Sequence, residues 1–146
     1  MNMVQVYIKG QEDKELNCFL RYYPVRIKNI GMDAFFDRQV VYDFKDGRNH
    51  ADVAKCVAKM LIKVVGERTA VHGTKVKKEE REKRLKEKNN IEVDANFFKN
   101  KIVCIWDDVV TTGTSFCAYT AQLEQVGAHV TNGIFLGKTS YKYVQQ

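Results

Sequence analysis

The sequence predicts one α/β domain over residues 1–146, with a mainly parallel sheet covered by helices on both faces. The first observation is an apolar strand pattern at 101–106, followed by a helical pattern at 114–126 and a second strand pattern at 129–136. The second is a strongly amphipathic helix at 51–65. Two strands joined by a helix are typically parallel, because the helix provides the crossover between them.

The bulk composition is that of an ordinary globular protein, with 45% hydrophobic and 29% charged residues. No apolar run approaches the ~20 residues that a membrane-spanning helix needs. The first ten residues lack the basic and then apolar pattern of a secretory signal. We therefore expect a cytoplasmic protein without a membrane partner. The four cysteines form no C-x-x-C pair, which favours reduced, buried thiols over a metal site or a disulfide framework.

The N-terminal third contains several short candidate elements. Residues 3–8 alternate and are β-branched, so they predict a strand, and residues 39–44 predict another. Residues 16–26 contain the only proline and predict irregular structure or a short strand. Residues 32–36 predict a short helix. The sequence Lys-Asp-Gly at 45–47 predicts a turn after the strand.

The first long helix is the clearest element of this half. Apolar residues recur at three- and four-residue spacing through 51–65, which indicates one buried face. Asn49 is the expected N-cap, and Gly66 is the expected stop.

The middle of the chain is dominated by charge. The net charge is +6, and residues 75–88 hold most of the excess. This stretch predicts either a solvated helix with ion pairs at i,i+4 or a mobile loop. A basic surface attracts nucleic acid or a polyanionic small substrate. Four glutamates are interleaved here and aromatic residues are absent, so recognition by base stacking is disfavoured.

Two adjacent carboxylates, Asp107 and Asp108, follow the apolar strand directly. In open α/β sheets, ligands bind at the carboxyl ends of the strands, so this pair is expected at the functional edge. An isolated pair of aspartates is also compatible with a solvated turn. Two carboxylates at the end of a buried strand repel each other and are costly to bury, which makes them a candidate site.

A turn rich in hydroxyl groups comes next and opens a helix. It consists of Thr111, Thr112, Gly113, Thr114 and Ser115. Unpaired N–H groups and the positive end of the helix dipole favour an anion at such a place. Simple N-capping needs only one hydroxyl, so four around a glycine favour phosphate binding. Carboxylates that accept hydrogen bonds from sugar hydroxyls, beside a turn that holds phosphate, suit a ribose 5-phosphate.

This arrangement resembles the phosphoribosyl pyrophosphate (PRPP) motif of type I phosphoribosyltransferases. The resemblance is strong over residues 101–138, with Trp106 where that family usually has a smaller aliphatic residue. It implies a parallel-sheet, Rossmann-like phosphoribosyltransferase fold. It also implies that Asp107 and Asp108 hold the ribose hydroxyls and, directly or indirectly, Mg²⁺. Residues 111–115 would wrap the 5-phosphate, with the metal bridging oxygens of the substrate.

Within that family the chain is most similar to ComF-like proteins of competence operons, through the basic stretch and the apolar pair that precede the motif. Lys45, Asp46 and Gly47 resemble the family's pyrophosphate-binding Leu-Lys-Gly-Gly loop, although a plain turn explains them equally well. Residues 68–88 lie where the family's mobile loop is expected. His72 is the obvious titratable group there, although a histidine beside a glycine is more often incidental.

The resemblance implies transfer of phosphoribosyl from PRPP to a nitrogenous base with release of pyrophosphate. The chain is short between the first long helix and the basic stretch, which favours a PRPP- or nucleotide-sensing protein without turnover as the first alternative. The second alternative is a competence-type nucleic-acid-associated protein. The acceptor base stays open, with Tyr141 as either a stacking residue or a packed terminal aromatic. Dimers are common in the family, so a homodimer is one option.

Overall fold

The computed structural model describes residues 3–66 and 93–144. The predicted charged stretch at 75–88, the predicted mobile loop at 68–88 and His72 lie outside the described residues. The elements are β1 (Val4–Gln5), β2 (Glu15–Tyr22), α1 (Met32–Lys45), α2 (His50–Val65), α3 (Ala95–Phe98), β3 (Ile102–Val110), α4 (Thr114–Gln125) and β4 (His129–Thr139). Among the described helices, none has the length and apolar character needed to cross a membrane.

The sheet has the strand order β1-β2-β4-β3. Strand β4 is parallel to both of its neighbours, β2 and β3, whereas the short β1 is antiparallel to β2. This confirms the predicted α/β class with a mainly parallel sheet, and it confirms the predicted parallel pairing of β3 with β4. Because β4 lies between two strands, residues 133–137 are all buried.

Successive side chains of β4 enter two different apolar clusters. Phe135 packs with Phe116 and Leu123 of α4, whereas Ile134 and Leu136 pack with residues of α1 and α2. Side chains alternate between the faces of a strand, so the two clusters lie on opposite faces of the sheet. The prediction of helices on both faces is therefore confirmed for the described residues. Each fully buried large apolar side chain contributes about 1.5–3 kcal/mol to this packing.

The predicted strand at 39–44 is wrong, because these residues belong to helix α1. The predicted short helix at 32–36 instead continues to Lys45. The adjacent Val40 and Val41 favour β structure locally, but tertiary packing overrides that preference. Ala34 and Val41, two helical turns apart, are both buried, so a helix places them on the same inner face.

Strand β2 is longer and more central than the sequence suggested for residues 16–26. It spans eight residues and lies between β1 and β4. Leu16, Cys18, Phe19 and Leu20 are buried in it. The predicted strand at 3–8, in contrast, is reduced to two residues.

Strand β3 lies at the edge of the described sheet, where it pairs with β4. A continuous apolar run such as that at 102–106 is typical of a central strand buried on both faces, and this prediction is wrong for the described residues. Ile105 is buried, but Ile102 keeps 56% of its surface exposed. Because β3 is the last strand of the described sheet, it is partly exposed to solvent.

Helix α2 follows its prediction closely and ends at Gly66, whose φ is +74°. Asn49 does occupy the N-cap position, but it has φ +55° and its side chain makes no capping bond. Its amide donates to Asp43 Oδ2 at 3.4 Å instead. None of the four cysteines, all of which lie in the described residues, forms a disulfide. Cys18 is buried, whereas Cys56 is exposed on α2, against the expectation of burial.

Candidate functional site

The acidic pair lies inside strand β3 rather than after it, because the strand continues to Val110. The prediction that the pair directly follows the strand is therefore wrong, because the strand ends four residues later than the predicted residue 106. Each carboxylate accepts a hydrogen bond from the next backbone amide. Asp108 N donates to Asp107 Oδ1 at 2.8 Å, and Val109 N donates to Asp108 Oδ1 at 2.7 Å. The two side chains are thus held against the backbone at the carboxyl end of an edge strand.

The pKa of Asp107 is raised from 3.8 to about 6. The largest cause is loss of solvation where protein atoms crowd the carboxyl group, even though the residue keeps an exposed surface. The neighbouring Asp108 carboxyl raises the pKa further, whereas the Asp108 N–H and the Lys45 ammonium lower it. Negative charge is therefore concentrated here at neutral pH, and a cation or hydrogen-bond donor would relieve it.

The two carboxylates suit a magnesium ion that takes the rest of its ligands from a substrate and from water. Within the described residues, no group of three or more His, Cys, Asp or Glu residues could hold a metal by itself. Mg²⁺ commonly binds through one or two carboxylates and completes its shell with water and phosphate oxygens. Asp107 and Asp108 fit this kind of site, in which the substrate supplies the remaining oxygens.

Lys45 reaches the acidic pair from the end of helix α1. Its Nζ lies 3.9 Å from Asp108 Oδ2, and both side chains are partly exposed. The prediction that residues 45–47 form a loop after a strand is wrong, since Lys45 is the last residue of helix α1 and Asp46 is its C-cap. Asp46 is ion-paired with Arg48 at 2.9 Å, and a Cβ added at Gly47 would meet no described side chain or backbone atom within 4 Å. Of the three predicted pyrophosphate-loop residues, the structure brings Lys45 to the site.

Residues 111–115 form a turn that leads into helix α4, as the sequence predicted. Gly113 occupies the N-cap position with φ +89°, and it has no side chain with which to cap the helix. The alternative explanation of these residues as a simple hydroxyl cap therefore does not apply at that position. The first helical hydrogen bond runs from Cys117 N to the Gly113 carbonyl at 2.8 Å. Thr112 and Thr114 are exposed, and their hydroxyls lie 2.9 Å apart.

Gly113 is required by packing as well as by its backbone conformation. A Cβ at this position would lie 2.6 Å from Ile8 Cγ2, which is closer than side-chain carbons approach. Ile8 itself is 4% exposed and belongs to the core under the sheet. The turn backbone thus lies directly on a buried side chain, which fixes its position relative to the acidic pair.

Two further residues contact the turn, and sequence reasoning did not assign them to it. Thr139 Oγ1 lies 2.9 Å from Thr111 Oγ1, and Lys138 Nζ donates to the Thr111 carbonyl oxygen. The parallel register pairs Val110 with Lys138, which brings the end of β4 beside the start of the turn. A signal was present in the sequence, because polar residues at the ends of adjacent parallel strands meet at one edge.

Tyr141 was predicted as either a stacking residue or a packed terminal aromatic. It is 52% exposed, and the Arg26 guanidinium carbon lies 4.6 Å from its ring centroid. One face of the ring is therefore covered by a cation–π contact. The structure supports neither of the two predicted roles in full.

The chain matches no protein-family model, no curated protein and no solved structure. The functional interpretation therefore depends on the residue pattern and on the geometry of the site.

Proposed function

We propose that this protein is a phosphoribosyltransferase that binds PRPP with Mg²⁺ and transfers the phosphoribosyl group to a nitrogenous base. The observation that carries the proposal is the continuous unit of acidic pair, turn and helix start at the carboxyl end of β3. Within it, the acidic pair and the turn are only a few residues apart, and Gly113 packs against the Ile8 side chain. This is the arrangement that a sugar bearing a phosphate would need.

The residues have distinct roles in the proposed reaction. Asp107 and Asp108 accept hydrogen bonds from the ribose hydroxyls, and the amides of residues 111–115 hold the 5-phosphate at the positive end of α4. Lys45 supplies a positive charge close to the acidic pair. When bound, Mg²⁺ would neutralise charge on the pyrophosphate.

In the reaction itself, the bond between the anomeric carbon and the pyrophosphate oxygen breaks, and pyrophosphate leaves with the electron pair. A bond from the anomeric carbon to a nitrogen of the base forms, and the base loses its proton. Positive charge develops on the sugar ring in between, and the carboxylates beside the ribose stabilise it electrostatically. The chain's main contribution is positioning of the two substrates.

A PRPP- or nucleotide-sensing protein without turnover is the second candidate. The specific observation in its favour is that residues 45–47 lie at the end of helix α1, of which Lys45 is the last residue, rather than after a strand. The predicted pyrophosphate loop is therefore not built as the resemblance implies. Such a protein would bind PRPP through the same acidic pair and turn without releasing pyrophosphate. For a nucleic-acid-associated protein, the predicted basic stretch lies outside the described residues, and salt titration of DNA binding tests that alternative.

Calorimetry of PRPP binding, with and without Mg²⁺, tests the proposal. We expect Mg²⁺-dependent binding that weakens by about a hundredfold or more in Asp107→Asn/Asp108→Asn, because charge-assisted contacts to ribose and metal are lost. The matched control is Asp33→Asn/Asp52→Asn, which removes two exposed carboxylates from α1 and α2. Equal binding by the two double variants, or no binding at millimolar PRPP, would refute the site.

A screen for pyrophosphate release across purine and pyrimidine bases then separates the two candidates. Release with one base identifies an enzyme and its acceptor. Binding of PRPP without release for any base supports the sensor.

A further inference from the structure

Lys138 presents a half-buried ammonium group at the penultimate position of β4. Its Nζ donates to the carbonyl of Thr111 and lies 3.4 Å from the carbonyl of Thr139. Within residues 3–66 and 93–144, no carboxylate forms an ion pair with it. A partly buried charge is costly unless it makes charge-assisted hydrogen bonds, and here two neutral carbonyls supply them. The ammonium therefore lies beside the turn with neutral carbonyl oxygens as its described partners.

A second contact fastens the same residue of the turn. The Thr139 side chain belongs to a residue that is 7% exposed, and its hydroxyl bonds that of Thr111. Backbone and side chain of Thr111 are thus both tied to the end of β4. Two contacts on one residue define its orientation, whereas a single contact would allow rotation about it.

The orientation of Thr111 determines that of the next amide. In a trans peptide the carbonyl and the following N–H point in opposite directions. Because the Thr111 carbonyl is held towards Lys138, the N–H of Thr112 points away from Lys138. The direction of the Thr112 N–H, just before helix α4, is therefore set by the contacts of Thr111.

We propose that Lys138 is a positioning residue for the phosphate turn, which it holds with the help of Thr139 in the conformation that receives the 5-phosphate. This inference rests on the proposed function, since it assigns the turn to a sugar phosphate. The ammonium also adds positive potential near the turn, which favours an anionic ligand. Lys45, at the acidic pair, serves a separate part of the substrate.

Two small probes divide the site into its parts. Ribose 5-phosphate tests the turn together with the acidic pair, whereas pyrophosphate with Mg²⁺ tests the acidic pair and Lys45 without the turn. Calorimetry with each probe is combined with hydrogen–deuterium exchange at residues 112–117 of the ligand-free protein. The variants are Lys138→Met, Lys138→Arg and Thr139→Val. Lys59→Met is the matched control, because it removes an exposed lysine from α2 on the opposite face of the sheet from α4.

We expect Lys138→Met to weaken ribose 5-phosphate binding about tenfold and to leave Mg²⁺–pyrophosphate binding within about twofold. Exchange at 112–117 should become faster in the same variant. Lys138→Arg should restore part of the affinity because it retains the donor and the charge. Thr139→Val changes no charge, and we expect a loss of about threefold with the same selectivity. Lys59→Met should change none of these quantities.

Equal weakening of both probes in Lys138→Met would overturn the inference, since that result indicates a general structural defect. Unchanged affinity for ribose 5-phosphate, or unchanged exchange at 112–117, would also overturn it. If Lys138→Met does not fold, the same readouts on Thr139→Val decide the question. Absence of ribose 5-phosphate and PRPP binding in the unaltered protein would refute the proposed function, whereas exchange in the ligand-free variants still shows separately whether Lys138 holds the turn.

Discussion

Two lysines at opposite ends of the sheet show how one residue type serves different purposes. Lys14 precedes β2 at the amino end, and its side chain is 5% exposed. Its ammonium pairs with Asp13 at 3.2 Å and with Glu124 at 3.1 Å. Lys138, near the end of β4, is held by carbonyl oxygens instead. Two carboxylates pair with the Lys14 ammonium, whereas the Lys138 ammonium adds positive potential near the turn.

At the amino end of the sheet, the Lys14 ammonium is therefore already paired with carboxylates. Burial lowers the pKa of Lys14, but the hydrogen bonds and charges of Glu124 and Asp13 outweigh it and raise the pKa. An open groove of about 500 Å³ lies at this end, lined by residues that include Asp13, Glu124 and His129. It contains none of the predicted site residues. The comparison teaches that the neighbours of a lysine, more than its burial, decide whether it can attract a phosphate.

The largest effect on stability and binding is expected from a methyl group added at Gly113, at the carboxyl end of the sheet. Gly113→Ala combines a left-handed backbone with a clash on Ile8, so we expect a loss of about 3 kcal/mol in unfolding free energy. Ribose 5-phosphate binding should fall below detection. Urea unfolding and calorimetry measure the two quantities.

Gly127→Ala is the matched change at the amino end. Gly127 also has a positive φ, +91°, but a Cβ there would meet Lys99 Cγ at an ordinary 3.5 Å. We expect a loss of about 1 kcal/mol with ligand affinity unchanged. Equal losses of stability in the two variants would contradict the role assigned to the Ile8 contact.

A smaller effect on the free energy of unfolding is expected when Lys14 loses one of its two carboxylate partners. Glu124→Gln leaves Lys14 with Asp13 alone, and since Glu124 is partly exposed we expect a loss of about 1 kcal/mol. Asp13→Asn should cost less, because Asp13 is 73% exposed. Neither change should alter ribose 5-phosphate affinity. Chemical denaturation and calorimetry check both, and a loss of affinity in Glu124→Gln would show that the two ends are coupled.

The smallest effect is a pH dependence from Asp107. Its native pKa of about 6 exceeds the ordinary value of 3.8, so the native state binds a proton that the unfolded chain has released. Stability from this group is therefore present at low pH and is lost as pH rises from about 4 to 6. We expect Asp107→Asn to flatten the thermal-unfolding profile over that window by a small amount, while Asp52→Asn, at an exposed position of α2, leaves it unchanged. An identical slope in Asp107→Asn would contradict the raised pKa.

The unit from β3 to β4 was predictable because its signals are local. Residues 102–106 are apolar, the helix ends near Gly127, and a second apolar stretch follows within the same forty residues. The end of β3 was placed too early, since Asp107 and Asp108 were interpreted as leaving the strand. Their carboxylates remain compatible with β structure because this edge of the described sheet is solvated. The type of fold within the α/β class stays a prediction.

The remaining features depend on contacts between distant parts of the chain. Residues 39–44 carry two adjacent valines that favour a strand, and their burial against β4 is what selects a helix. The interior place of β2 depends on pairing with β4, which no local pattern shows. The contacts of Lys138 and Thr139 with Thr111 likewise follow from strand register, so the sequence indicated the edge but not the partner.

The pairing of β2 with β4 also determines when β2 can complete its folding during synthesis of the chain. Glu15 is opposite Asn132, so β2 has no parallel partner in the described sheet until a further 117 residues have been made. At ordinary ribosomal speeds this interval is on the order of ten seconds. Throughout it, Leu16, Phe19 and Leu20 lack the β4 side chains against which they pack in the folded protein, and transiently exposed apolar side chains favour aggregation. The edge that holds the proposed site is completed only after β4 has been made.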